Sequence, residues 1–215
     1  MQPTTKASRF RSLALAVTLA SLFLGLCTYW IFQYTAKQPL APSGGLFFPF
    51  EKRIEMPRFA QADPRWAADK LGPTDATLAK EGCALTCAAM VLARYGVDTD
   101  PQRLNRFVQR LQGYTPEGWI YWEAAAEFPP KVLRHSYEDK PSYALIDWNL
   151  VRGNPVIIRV RRAPKRTHFV TVIGKDGFDY LILDPAQTKY GNKPYPLKEL
   201  GLQIEALRFF EPIGI

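Results

Sequence analysis

The stretch EGCALTCAAM contains two cysteines that differ in their surroundings. Cys83 follows Gly82 at a predicted helix start, and Cys87 lies one helical turn later among apolar residues. The backbone N–H groups at a helix start are unpaired and the helix dipole is positive there, so both favour a thiolate at Cys83. Cys87 is predicted to be a small buried side chain. Cys83 is therefore the candidate nucleophile, and the alternative is that it is an ordinary core residue.

A nucleophilic cysteine needs a base, and the chain contains only two histidines. His168 opens the predicted strand HFVTVIG, and the next predicted strand, FDYLILDP, ends at Asp184. A three-residue turn with Gly177 in the left-handed conformation would place His168 directly opposite Asp184, where the carboxylate can orient the imidazole. A two-residue turn would shift that register by one. His135, in KVLRHSYED, has no evident partner in the sequence.

Acyl transfer also requires hydrogen-bond donors for the oxyanion that develops on the substrate. The backbone N–H of Cys83 is one candidate donor. The side-chain amide of Gln61, in FAQADPRW, is the second, although a glutamine in such a stretch, taken by itself, is more often a surface residue.

The formal net charge of +8 gives little support to a nucleic-acid partner. Half of the excess comes from Lys6, Arg9, Arg11 and Lys37, which lie in the first forty residues with no acidic residue beside them. No H-E-x-x-H pattern or phosphate-binding glycine loop occurs, so no metal, cofactor or nucleic acid is predicted. The basic stretch RVRRAPKRTH before Phe169 is either a solvated loop or a surface for an acidic substrate or anionic lipid headgroup.

Residues 12–34 contain no charged residue and are long enough for a helix that spans a bilayer. The basic residues of segment 1–11 precede them, which predicts a cytoplasmic N-terminus, a signal anchor at 12–34 and a single-pass protein of the cell membrane. A cleaved signal peptide and a lipoprotein modified at Cys27 are alternatives. In each case the rest of the chain lies outside the cytoplasm. Residues 35–50, rich in Pro and Gly, are predicted to be a linker before a domain at 51–215.

Helical patterns dominate the first part of this domain, and β-rich patterns follow in the second. One helix is predicted from about residue 83 to 95, and another begins after the cap Asp100 with Pro101 as its first residue. Two more are predicted in EGWIYWEAAAEF and in SYALIDWNLVRG. Strands are predicted in PVIIRVR, HFVTVIG, YLILD and EALRFF. The fold class is therefore α+β, with a helical N-terminal half and an antiparallel sheet in the C-terminal half.

Several of these motifs together resemble a known family. They are QADPRWA, EGCALTCAAMVLARYG, GNPVIIRV, THFVTVIG and YLILDPA, which extend from about Phe59 to Pro185. The combination resembles the cysteine peptidase family thirty-nine-like domain, a member of the papain-like clan related to bacteriocin-leader peptidases. The chain differs from the family at Cys87, where a small residue is usual, and in having ALT where GPT is more common.

The resemblance implies a papain-like fold with Cys83 as nucleophile, His168 as general base and acid, Asp184 as the residue that orients His168, and Gln61 in the oxyanion hole. The predicted function is a membrane-anchored, extracytoplasmic thiol protease that cleaves a peptide or protein through a thioester. A transpeptidase, acyltransferase or amidase with the same triad is an alternative. A catalytically idle peptide-binding module is another. The sequence does not indicate the oligomeric state.

Overall fold

The computed structural model describes residues 5–35, 39–163, 166–186, 189–190 and 193–214. The residues from Pro39 onward form one compact unit, separate from the N-terminal helix. In chain order the elements are α1 (Thr5–Thr35), β1 (Ser43–Arg53), α2 (Leu78–Glu81), α3 (Cys83–Arg94), α4 (Pro101–Arg110), α5 (Trp122–Ala126), β2 (Leu133–Asp139), α6 (Tyr143–Val151), β3 (Val156–Ala163), β4 (Arg166–Leu183), β5 (Tyr195–Pro196), a 3₁₀ helix (Leu197–Leu200) and β6 (Ile204–Pro212).

Helix α1 contains the only stretch in the described part of the chain that is long and apolar enough to cross a membrane. This stretch runs from Arg11 to Tyr29 and has a mean hydropathy of 1.8. Its 19 residues approach the length of about 20 that a helix needs to span the hydrocarbon core of a bilayer. A helix of this kind near an N-terminus is a candidate membrane anchor or signal sequence.

Six strands of the described chain form one antiparallel sheet, with the order β1-β4-β3-β6-β2 and with β5 beside β4. Strand β3 occupies the centre and pairs with β4 on one side and β6 on the other. Residues of β3 such as Val156, Ile158 and Val160 are fully buried, as expected of a central strand. Helices and this sheet make an α+β fold, which confirms the predicted fold class.

Helix α3 lies in the core, and its apolar composition follows from that position. Residues Leu85 and Cys87 to Leu92 are almost completely buried, and the helix packs against β4. Tyr95 and Gly96 end the helix, with Gly96 at a φ of 79°, as the glycine in the sequence predicts. The packing fixes the position of the first residue, Cys83, relative to the sheet.

Helices α4 and α6 each begin at a side-chain cap, whereas α5 is shorter than the sequence predicts. In α4, the carboxylate of Asp100 accepts a hydrogen bond of 2.8 Å from the backbone N–H of Arg103, with Pro101 at the first position. In α6, the hydroxyl of Ser142 accepts from the backbone N–H of Leu145. The pattern EGWIYWEAAAEF predicts a longer helix than α5, which has five residues.

Besides the two-residue strand β5, two strands lie in segments for which the sequence predicts none. Residues 35–50 are predicted to be an extended linker, but β1 begins at Ser43 and pairs with β4. The segment around His135 forms β2, which pairs with β6. Their partners are far away in the sequence, so the local composition of Pro, Gly and charged residues does not reveal them.

Candidate active site

Cys83 is the first residue of α3 and is 9% exposed. A short helix, α2, leads into it and ends at Gly82, whose N–H donates to the carbonyl of Leu78 at 2.9 Å. In one continuous helix the N–H of Cys83 would donate to the carbonyl of Ala79, four residues earlier. Among the described residues, the N–H of Cys83 has no backbone acceptor, so the helix is interrupted at this point.

Gln61 explains the interruption. Its side-chain Nε2 donates to the carbonyl oxygen of Ala79 at 2.8 Å and takes the place of the Cys83 N–H. The side chain is buried, and its backbone N–H donates to the carbonyl of Pro185 at 2.9 Å. One hydrogen of the Gln61 amide is thus used by Ala79, and the other remains. The structure places the Gln61 amide beside the open start of α3.

His168 and Asp184 are in direct contact. Nε2 of His168 lies 2.8 Å from Oδ1 of Asp184, and both side chains are buried. An extended strand rises about 3.3 Å per residue, so the ends of an extended β4 would lie about 50 Å apart. The chain must therefore reverse direction within β4. Gly177, with a φ of 57°, has the left-handed conformation that the predicted three-residue turn requires.

The carboxylate of Asp184 is held by three further donors. Its Oδ1 accepts from the backbone N–H of Ala186 at 2.8 Å, and its Oδ2 accepts from the hydroxyl of Tyr195 at 3.1 Å and from Arg162 at 3.5 Å. Burial raises the pKa of Asp184, but the hydrogen bonds, chiefly that of His168, outweigh it and hold the pKa below its ordinary value. The group is therefore an anion whose orientation is fixed from several sides.

His168 interacts with both Asp184 and Cys83. Burial alone would lower the pKa of His168, but hydrogen-bonding and Coulombic interactions with the carboxylate and the thiol raise it to about 9. Because Nε2 faces Asp184, Nδ1 is the nitrogen left for Cys83. The arrangement favours an imidazolium beside the Asp184 carboxylate at neutral pH. The structure thus brings Cys83, His168 and Asp184 together as the sequence predicts, while their catalytic roles stay a prediction.

Cys87 has a different environment from Cys83. It is fully buried inside α3, and this burial raises the pKa of its thiol well above the ordinary value. A buried thiol without a positive partner is inert. Cys87 is therefore a packing residue, in agreement with the sequence prediction.

The second histidine lies outside this group. Nδ1 of His135 is 2.8 Å from a carboxylate oxygen of Glu123, and the ring is stacked on Trp122. The sequence gives no sign of this pair because Glu123 is twelve residues away in another element. In the described part of the chain, no three side chains of His, Cys, Asp or Glu converge in a way that could hold a metal ion.

Three residues of the site are missed by sequence reasoning. They are Tyr195, Arg162 and Arg58, whose guanidinium donates to the backbone carbonyl of Asp184 at 3.0 and 3.2 Å. Tyr195 comes from the short strand β5, which pairs with β4 at Leu181 and Ile182. A two-residue strand leaves no periodic signal in the sequence.

A family model agrees with the motifs found in the sequence. Residues 53–208 match the model of the Peptidase_C39-like family, and the chain belongs to this family. This confirms the predicted family resemblance. A comparison with curated proteins finds no match.

Nine chains of solved structures are similar to this chain. One is a crystal structure from Bacillus anthracis that is described as a C39-like peptidase. It is 16% identical in sequence, the alignment covers 72% of this chain and 97% of that chain, and the TM-score is 0.41. A similarity of this degree does not bear on the activity of the chain. Membership of the family suggests a peptidase-type function.

Proposed function

We propose that this chain is a membrane-anchored cysteine peptidase with a papain-like arrangement of Cys83, His168 and Asp184, and that its catalytic domain works outside the cytoplasm. The observation that carries the proposal is the interaction of the His168 ring with the Cys83 thiol and the Asp184 carboxylate. A nucleophile, a base and an orienting carboxylate in this order are the parts that acyl transfer requires.

In the acylation step, the thiolate of Cys83 attacks the carbonyl carbon of a peptide bond and forms a C–S bond. The negative charge moves to the carbonyl oxygen, where the backbone N–H of Cys83 and the remaining amide hydrogen of Gln61 stabilise it. The C–N bond then breaks as the imidazolium of His168 gives its proton to the leaving amine. The products of this step are the free amine and a thioester on Cys83.

In the deacylation step, neutral His168 accepts a proton from water while the water oxygen attacks the thioester carbonyl. The C–S bond breaks and restores the thiolate of Cys83 beside the imidazolium of His168. Asp184 stays ionised throughout and keeps Nδ1 of the ring directed at the sulfur.

The N-terminal helix supports the proposed location. Lys6, Arg9 and Arg11 precede or begin the apolar stretch, and the Lys/Arg bias of the cytoplasmic side then orients the helix. In this orientation α1 spans the cell membrane and the domain that follows faces the other side. The expected substrate is a peptide or protein that is present there.

The proposal is tested in cells by comparing protein N-termini between strains that express the wild-type chain and a Cys83→Ala variant. The wild type should produce new N-termini outside the cytoplasm that the variant does not produce. A Cys87→Ala variant is the matched control, because it removes the other thiol of α3 and should retain the cleavages. Identical N-termini for wild type and Cys83→Ala would overturn the peptidase proposal.

The purified chain gives a second readout that needs no substrate. Iodoacetamide at neutral pH should alkylate Cys83 much faster than the buried Cys87, and a His168→Asn substitution should slow the alkylation of Cys83. With a substrate found in the first experiment, the mass of the released acyl product distinguishes hydrolysis from transfer. A product that carries an added amine instead of water would assign the chain to the transferases.

A further inference from the structure

Large apolar side chains are exposed on one part of the catalytic domain. Of the ten that are exposed in the described residues from Pro39 onward, six belong to β1, to its partner β4, or to α6. These six define what we call the β1 patch: Leu46, Phe47, Phe50, Trp148, Val151 and Phe178. The four members on β1 and β4 are between 51% and 84% exposed. Soluble domains rarely concentrate exposed apolar side chains in this way without a partner.

The three elements of the β1 patch are in direct contact. The rings of Phe47 and Phe178 meet edge to face, with their centroids 5.2 Å apart. The backbone N–H of Leu46 donates to the carboxylate of Asp147 in α6 at 2.7 Å, and the amine of Lys52 donates to the carbonyl of Val151 at 2.7 Å. The patch residues therefore lie on three elements that contact one another.

A buried ion pair holds the strand that presents the patch. Nζ of Lys175 lies 2.6 Å from Oδ1 of Asp147 and 2.6 Å from the carbonyl oxygen of Gly44. Lys175 and Asp147 are inaccessible to solvent. They fix β1 to β4 and α6 from inside, so that Phe47 and Phe50 face outward from a rigid backbone.

We propose that the β1 patch inserts into the headgroup region of a lipid bilayer. Ten residues lie between the end of α1 at Thr35 and Leu46, and this length of chain spans at most about 40 Å. A bilayer that holds α1 is therefore within reach of the patch. Four of the six residues are aromatic, a type that interfaces between membrane and water favour.

The charges beside the patch are compatible with such an interface. The guanidinium of Arg53 lies 3.8 Å from the carboxylate of Glu51 and 3.0 Å from that of Glu55, so the acidic groups at the end of β1 are paired. Phe50, next to Glu51, is the most exposed member of the patch. The insertion would fix the orientation of the active site relative to the membrane.

The inference rests on the proposed membrane anchorage, and one experiment separates the two. The full chain is reconstituted in phosphatidylcholine vesicles with and without lipids that are brominated near the headgroup, which quench nearby tryptophan fluorescence. Two variants each add one tryptophan, Phe50→Trp in the patch and Tyr121→Trp as the matched control. Tyr121 is also an exposed aromatic residue, but it lies at the start of α5, outside the patch.

In each variant, the new tryptophan adds emission to that of the wild type. Brominated lipids should quench this added emission to different extents in the two variants. The added emission of Phe50→Trp should be lost in brominated vesicles, while that of Tyr121→Trp should be retained. Equal retention by both variants would overturn the inference. A Phe50→Trp signal that changes only with the ratio of protein to lipid would also overturn it, since the patch would then bind a second copy of the chain.

Alkaline extraction of the same vesicles tests the anchorage itself. If the chain remains in the membrane after extraction but Phe50→Trp is not quenched, the proposed anchor stands and the β1 patch inference is wrong. If the chain is extracted although Phe50→Trp is quenched before extraction, the β1 patch inference stands and the proposed anchor is wrong.

Discussion

Nε2 of His168 lies 2.8 Å from Oδ1 of Asp184, although the two residues are sixteen positions apart, with His168 near the start of β4 and Asp184 just after its end. The reversal of the chain at Gly177 brings them together. The carboxylate therefore acts on the imidazole ring that also interacts with Cys83. The protonation of His168 is consequently the property of the site that is most open to measurement.

Replacement of Asp184 by Asn should lower the pKa of His168 from about 9. Since the pKa is raised by folding, the imidazolium contributes stability that is fully present below the ordinary pKa of about 6.5 and is lost as the pH rises through about 9. The substitution removes the anion that opposes the effect of burial, so the proton should leave at lower pH. Activity should fall by on the order of 10²–10⁴-fold, as for loss of a general acid–base group.

Nuclear magnetic resonance of ¹⁵N-labelled histidine measures this shift directly. The chain has only two histidines, and His135, which contacts Glu123 instead, supplies an internal control whose signal should not depend on Asp184. A His168 titration that is unchanged in Asp184→Asn would contradict the structure.

Replacement of Tyr195 by Phe should destabilise the fold in a way that depends on pH. The hydroxyl donates to the buried carboxylate of Asp184 at 3.1 Å, and a hydrogen bond to a charged group contributes about 1.5–3 kcal/mol. The pKa of Asp184 is lowered by folding, so its contribution is present above the usual carboxyl pKa of about 3.9 and is lost as the pH falls below it. The cost of the substitution should be full at pH 7 and smaller in acid.

Urea unfolding of the wild type and Tyr195→Phe at pH 7 and at pH 3 checks this prediction. The ring itself is retained, including its stacking on Tyr190 at 4.4 Å. An equal difference in unfolding free energy at both pH values would mean that the hydroxyl acts through packing and not through the charge of Asp184.

Position 82 requires glycine because no side chain fits there, and not because of the backbone conformation. Its φ of −78° suits any residue, but a Cβ there would lie 2.5 Å from the carbonyl oxygen of Leu78. Alanine should therefore displace the chain just before Cys83 and destabilise the fold by about 1–3 kcal/mol, as overpacking does. Alkylation of Cys83 by iodoacetamide should also become slower, because the sulfur moves away from His168.

Gly96→Ala is the matched control at the other end of α3. A Cβ at this position meets open space, but the φ of 79° strains any residue with a side chain. This variant should lose stability and keep the wild-type rate of Cys83 alkylation. If both variants alkylate at the same rate, the displacement at Gly82 does not occur.

The sequence predicts the parts of the site that depend on local signals. The predicted start of α3 after Gly82 and its apolar residues locate Cys83. A single turn at Gly177 is enough to predict that His168 lies opposite Asp184. Tyr195 and Arg58 cannot be predicted in this way, because their positions follow from pairing and packing between segments far apart in the chain.

Strand β1 shows the same limit for the fold. The stretch SGGLFFPFEKR has the composition of a linker, and its strand conformation depends on Asp147, which is about one hundred residues away. The contact that interrupts the helix, between Gln61 and Ala79, is likewise a tertiary one. Local propensity gives way in both places to interactions that only the folded chain provides.

The buried ion pair of Lys175 and Asp147 should respond to substitution as a unit. Replacement of Lys175 by Met leaves the carboxylate of Asp147 inside the protein, where the hydroxyl of Tyr180 and the backbone N–H of Leu46 are its remaining donors among the described residues. Breaking a buried pair in this way costs about 3–5 kcal/mol.

The double variant Lys175→Met, Asp147→Leu removes both charges and should recover part of this loss. Urea unfolding of the wild type, the two single variants and the double variant measures the recovery. Additive losses in the double variant would show that the two charges do not depend on each other. Hydrogen exchange at the amide of Leu46 supplies the local readout, since it should accelerate in each variant as β1 loses its attachment to α6.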